Sequence, residues 1–256
     1  MTGAEPFPFP VAGSVPAGPA GGDLTIEVWA AAPRPDALLP AHEVINLFTA
    51  AVNEQLYTPT GLRSSLELID EQVAADGAQR SYRFLATAVA PLAFRGLLSL
   101  LTQTHYAGDE LAGLAVRASR TGDAVDLRAL AGPGIIAPER ALAPPFEFEQ
   151  RIAEGEAGFC TITARFRQAV AREQFIAVRE GFGIWDRLVM LGAFKPDFAA
   201  QEDFWEEYGQ TAHQTADTVE HATPAYDGSA GAVNAIVNFL CRVHAELAPI
   251  ALVEIE

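Results

Sequence analysis

Residues 196–241 hold eight carboxylates (Asp197, Glu202, Asp203, Glu206, Glu207, Asp217, Glu220 and Asp227) and neither Lys nor Arg. Trp205 and Tyr208 lie among them. Read as a helix, Glu206, Gln210, His213, Asp217 and His221 recur at spacings of 4, 3, 4 and 4. All five then share one face, where neighbouring turns can hold a metal ion together. Read as one strand, His213, Asp217 and His221 also share a face, but the outer two stand roughly 27 Å apart, too far for one metal. Gly209 and the Thr-rich composition weaken the helix, and an internal repeat described below favours a hairpin. The expectation is therefore that no metal site forms here. The stretch reads first as a solvated acidic surface. Its interaction candidates are Trp205, Glu206, Glu207 and Tyr208, because buried aromatic side chains tend to dominate binding energy.

A second polar stripe runs through Thr161, Thr163, Arg165 and Arg167. At a strand's period of two these residues share a face, and two guanidinium groups side by side can grip an anion. The plainer role is a polar outer face on which Arg stems cover apolar surface. Arg165 and Arg167 are kept as interaction candidates.

Other chemistry finds little support. No phosphate-binding glycine loop, nucleophile elbow or paired-His zinc motif occurs. Lys195, the single Lys of the chain, sits before Pro196 at an expected helix exit, where a cation suits the helix dipole. Cys160 and Cys241 belong to no metal or redox pattern and read as free buried thiols. His105 and His244 fall near the ends of expected helices, and His42 in a first helical turn. Order and spacing assemble no Ser/His/Asp set. No catalytic residue and no cofactor is expected.

The chain of 256 residues is 50% hydrophobic with a formal charge of −16. That composition buries a core and repels phosphate backbones and anionic membranes. Nucleic acid and membrane are excluded as partners, leaving a protein partner or a homo-oligomer. The first residues carry no basic, apolar leader, and no apolar run reaches the ~20 residues of a membrane span. A cytoplasmic location is the expectation.

The elements that position these residues follow from periodicity. Leu24, Ile26 and Val28 alternate as a half-buried strand. Val44, Leu47, Phe48, Ala51 and Val52 recur at helical spacing within 41–56. Residues 64–73 and 79–89 read as strands joined at Asp76-Gly77, a hairpin signal. Pro91 opens a second helix, and 114–118 is a short strand. This β-α-β-β-α-β order is the ferredoxin-like pattern. After a Gly/Pro-rich break the pattern restarts: Phe146, Phe148 and Ile152, then Cys160, Ile162, Ala164 and Phe166, read as strands around a Gly155-Glu-Ala-Gly158 turn, followed by a helix over 172–191 with Gly181 and Gly183 as kink points, a last helix with Ile236, Val237, Leu240 and Val243 inward, and a closing strand 250–255. Leu101-Thr-Gln-Thr-His105 matches Leu240-Cys-Arg-Val-His244 in place.

The expected class is α+β: two tandem ferredoxin-like units, antiparallel sheets with helices on one face. The expected boundaries are a flexible Pro/Gly/Ala-rich tail at 1–22, a first unit at 23–119, a linker at 120–145 and a second unit at 146–256. The leading functional expectation is a non-catalytic, cytoplasmic protein-interaction or regulatory protein. The alternatives are an enzyme or ligand-binding protein with a site between the units, and an antitoxin-like acidic inhibitor of a basic partner.

Overall fold

A computed structural model describes residues 7–30, 40–58, 63–108, 110–118, 123–131, 148–153, 158–195, 198, 209–226 and 229–256. The fold is mixed α+β, with two largely antiparallel sheets and, among the described residues, four α-helices. The residues fall into two compact units.

The first unit contains β1 (Val11–Pro16), β2 (Ala20–Ala30), α1 (Ala41–Asn53), β3 (Ser65–Val73), β4 (Gln79–Val89), α2 (Pro91–Tyr106), β5 (Leu111–Ala118) and β6 (Ala124–Asp126). A short 3-10 turn, Leu127–Ala131, follows β6. The strand order is β3-β4-β2-β5-β1-β6. Leu24, Ile26 and Val28 point inward with Tyr82, Phe84 and Ala86, and all six are buried. Val44, Phe48, Phe94, Leu97 and Leu98 from the two helices complete this core. Pro91 suits the first turn of α2, where a missing N–H costs nothing. At the β3–β4 turn, Gly77 has φ +71°, and the Asp76 carboxylate accepts from the Ala78 N–H at 3.0 Å.

The second unit contains β7 (Glu149–Ile152), β8 (Gly158–Phe166), α3 (Arg172–Met190), β9 (Gln210–Thr215), β10 (Thr218–Tyr226), α4 (Ala230–Glu246) and β11 (Ile250–Ile255). Its order is β7-β11-β8-β10-β9. Cys160, Ile162, Ala164 and Phe166 of β8 are buried with Ile236, Leu240 and other residues of a largely apolar core, which also holds Asn238 and a polar cluster described below. Both cysteines are free and buried. In the two sheets the order β5-β2-β4-β3 corresponds to β11-β8-β10-β9. The leading strands correspond too, β1 lying parallel to β5 and β7 parallel to β11.

Three expectations change. The supposed flexible tail at 1–22 contains β1 and the start of β2, and Phe7, Phe9, Val11 and Val15 are all buried. In the sequence, Phe7, Phe9 and Val11 are separated by Pro8 and Pro10, which read as loop. Gly13 is required there: its φ is +104°, and a Cβ would sit 2.0 Å from the Val116 carbonyl oxygen. The expected linker at 120–145 likewise supplies β6 and the 3-10 turn, whose Leu127 and Leu130 are buried. Finally, α3 continues as one helix through Gly181 and Gly183. Gly181 is a packing residue, since a Cβ there would meet the Phe239 ring at 2.1 Å.

The unit boundaries also differ from a simple tandem division, because residues 54–58 belong with the second unit and Lys195 and Phe198 with the first. α1 ends at Asn53 rather than at Leu56. Trp205, Glu206, Glu207 and Tyr208, and residues 59–62, 132–147 and 154–157, lie outside the described residues. No described helix is long and apolar enough to cross a membrane.

Candidate functional site: an open strand edge and a buried polar centre

Six large apolar side chains are exposed among the described residues, and four of them lie on β3 and β4: Leu68, Ile69, Val73 and Leu85. β3 is an edge strand. Its register against β4 pairs Leu66 with Ala86, Leu68 with Phe84, Glu71 with Tyr82 and Val73 with Arg80, which puts these β3 residues on the helix-covered side. Glu67 and Asp70 pair with Leu85 and Arg83 on the opposite side. The register shifts between Leu68 and Asp70, so Ile69 is the extra residue of a bulge. Helix α1 closes only the first part of the strand. The Asn53 carboxamide accepts from the Leu66 N–H at 2.8 Å and donates to the Leu66 carbonyl at 3.2 Å, as a neighbouring strand would. Glu71 is bound to Arg80 at 2.9 Å.

The second unit carries a charged side chain in its core. Asp186 shares the inward stripe of α3 with Val178, Phe182, Trp185 and Val189, and is 1% exposed. Its carboxylate accepts from the Gly209 N–H at 2.7 Å and from the hydroxyl of buried Thr223. His221, also 1% exposed, places Nε2 3.8 Å from the same carboxylate and Nδ1 2.9 Å from the Thr211 hydroxyl. The imidazole lies flat on Phe182 at 4.8 Å between ring centres, with Trp185 edge-on at 6.0 Å. Burial raises the affinity of the Asp186 carboxyl for a proton. The His221 imidazole, the Thr223 hydroxyl and the Gly209 amide outweigh that and hold it below the usual carboxylate range. Gly209 fits because a Cβ would lie 2.7 Å from the imidazole.

Thr211, His221 and Asp186 thus bring together the residue types of a hydroxyl–imidazole–carboxylate triad, but the 3.8 Å between His221 Nε2 and the carboxylate is longer than a hydrogen bond. His221 and Asp186 are sealed from solvent. In this setting Asp186 fixes the start of β9 to α3 through Gly209. The periodicity of residues 210–226 did not reveal the cluster. The available signals were an acidic residue within the apolar stripe of α3 and a His alternating with Val219 and Thr223.

Residues 210–226 form a hairpin, so neither the helical spacing nor the single-strand separation weighed for His213, Asp217 and His221 applies. His213 pairs with Val219 and His221 with Thr211 across β9 and β10. His213 is exposed and stacks on Phe175 at 4.0 Å. Among the described residues, no group of three or more His, Cys, Asp or Glu is placed to hold a metal ion. Arg165 pairs with Thr218 and Leu252 on the outer side of β8, and Arg167 follows the strand with its N–H donated to the Pro249 carbonyl at 2.8 Å. Both side chains are exposed.

No protein-family model, curated protein or solved structure matches the chain.

Proposed function

We propose that the chain is a non-catalytic protein-interaction or regulatory protein built from two tandem ferredoxin-like units, each extended by one leading strand. The shared strand order and shared helix placement support the tandem reading. One observation carries the functional reading: of the six exposed large apolar side chains among the described residues, Leu68, Ile69, Val73 and Leu85 lie on β3 and β4, at one open edge of the first sheet. An open edge rich in apolar side chains is where another strand is recruited. The exposed Arg165 and Arg167, and the run Trp205–Tyr208, offer further contacts. The net charge of −16 favours a basic partner over nucleic acid. A ligand-binding or catalytic function draws on the cluster of Thr211, His221 and Asp186, but the burial of His221 and Asp186 favours a structural role for it.

The test uses the tagged full chain as bait in an extract of its native host, beside a Leu68→Ser/Leu85→Ser variant of matched melting temperature. The reading expects a protein retained in fixed proportion by the wild type and lost by the variant. An identical retained set, or turnover of a small molecule by the purified chain, contradicts it.

A further inference from the structure

We infer that the open part of β3, residues 67–73, is a strand-addition site for an extended basic segment of a partner protein. The inference rests on the interaction reading above and names the partner's chemistry.

The two sheets have four edges: β3 and β6 in the first, β7 and β9 in the second. β6 has 3 residues and β7 has 4, too few to template a stable ladder. β9 has 6 residues, Gln210–Thr215, and no large apolar side chain. β3 has 9 residues and presents Leu68, Ile69 and Val73 to solvent. Proteins usually shorten, charge or cover such edges, because unpaired backbone groups there recruit other strands. Here Asn53 covers Leu66 alone. From Glu67 onward, no strand lies on the far side of β3 among the described residues.

Charge selects the occupant. β3 contains Glu67, Asp70 and Glu71 and no Lys or Arg. In an antiparallel self-pairing that matches the outer sides of the two copies, Glu67 of one copy faces Asp70 of the other, and like charges directly opposite destabilise a ladder. A second copy is therefore disfavoured by the same residues that would attract Lys or Arg. An alternating basic and apolar strand fits both sides. Its apolar side chains would cover Leu68 and Val73 beyond the reach of the helices, and its cations would sit opposite Glu67 and Asp70. The Ile69 bulge divides the edge into two short ladders, which limits indiscriminate pairing. This is recognition by β-augmentation, with affinity from the backbone and selectivity from side chains.

The test is a fluorescence-anisotropy titration of the full chain with a labelled synthetic peptide of alternating Lys and Val, about seven residues long. Two control peptides accompany it: the same sequence N-methylated at alternate residues, which keeps charge but removes edge hydrogen bonding, and an alternating Glu/Val peptide. The expected result is saturable binding of the Lys/Val peptide and binding about tenfold weaker for the N-methylated form, as loss of one or two net hydrogen bonds gives. A Glu67→Lys/Asp70→Lys variant should lose the Lys/Val peptide and gain the Glu/Val peptide. Equal binding of the N-methylated peptide shows attraction to net charge alone and overturns the site, a result that needs only wild-type protein. Unchanged preference in the charge-reversed variant also overturns it. If the bait experiment still yields a partner sensitive to Leu68→Ser/Leu85→Ser while the peptide arms fail, the strand-addition site is wrong and the interaction reading stands. If no partner is retained, the interaction reading itself fails.

Discussion

His105 and His244 make the same hydrogen bond in the two units. His105 Nδ1 accepts from the Leu111 N–H at 3.1 Å, and His244 Nδ1 accepts from the Ile250 N–H at 2.9 Å. Each ring ends the second helix of its unit and ties it to the first residue of the closing strand. Each also packs beside a Phe that precedes the leading strand, Phe9 at 5.8 Å and Phe148 at 5.3 Å between ring centres. Such a correspondence of side chain, bonded atom and aromatic neighbour goes beyond shared strand order. Replacement of either His by Ala should destabilise its unit by about 1–3 kcal/mol, the cost of an unsatisfied backbone donor. Denaturant unfolding of both variants checks this, and losses under about 0.5 kcal/mol would show that the His contact adds nothing to either unit.

Asp186 gives a pH dependence with a defined sign. Its carboxyl is held below the usual range in the folded chain, so the stability it contributes is present above the unfolded value of about 4 and is lost as pH falls through the folded value. Asp186→Asn should be about 1–3 kcal/mol less stable at neutral pH, with the gap narrowing as pH falls below the unfolded value of about 4. Urea denaturation of both proteins across that range reads it directly. A gap that stays constant with pH would mean that the charge of Asp186 contributes nothing to the fold.

The N-terminal segment is a load on the first sheet rather than an appendage. Deletion of residues 1–16 removes β1, exposes the β5 edge and uncovers β6. Thermal melting of the truncated chain should show a fall of many degrees or no folded transition at all. A melting temperature equal to that of the full chain would show that Phe7, Phe9, Val11 and Val15 add nothing to the core.

The last helix is core. Ile236 and Leu240 of α4 are fully buried, and substitution of either by Ala should cost about 2–5 kcal/mol. Chemical denaturation of the two variants tests this, and near-wild-type stability would place that face at the surface.

Local pattern revealed those elements whose apolar residues repeat without interruption. The stripe of α4, the alternation Leu24-Ile26-Val28 and the Asp76-Gly77 turn were all legible, because each is decided by neighbours in sequence. β1 was not, because its two buried residues, Val11 and Val15, stand four apart around Gly13 and show no period of two. The acidic stripe misled for a different reason: His213 and His221 acquire their separate roles only when β10 pairs with β9 and packs on α3. Asp186 in turn looked like one more polar position until Gly209, Thr223 and His221 were brought to it from more than twenty residues away. The edge status of β3 depends on strand order across the whole sheet, which no window of sequence contains.

The most direct test of strand addition at β3 is amide hydrogen exchange on the full chain, alone and saturated with the Lys/Val peptide. Slowed exchange should concentrate on residues 67–73, with smaller changes in β4 and none in β9. Protection spread evenly over acidic surface, or confined to the second unit, would contradict the assignment of this edge as the partner site.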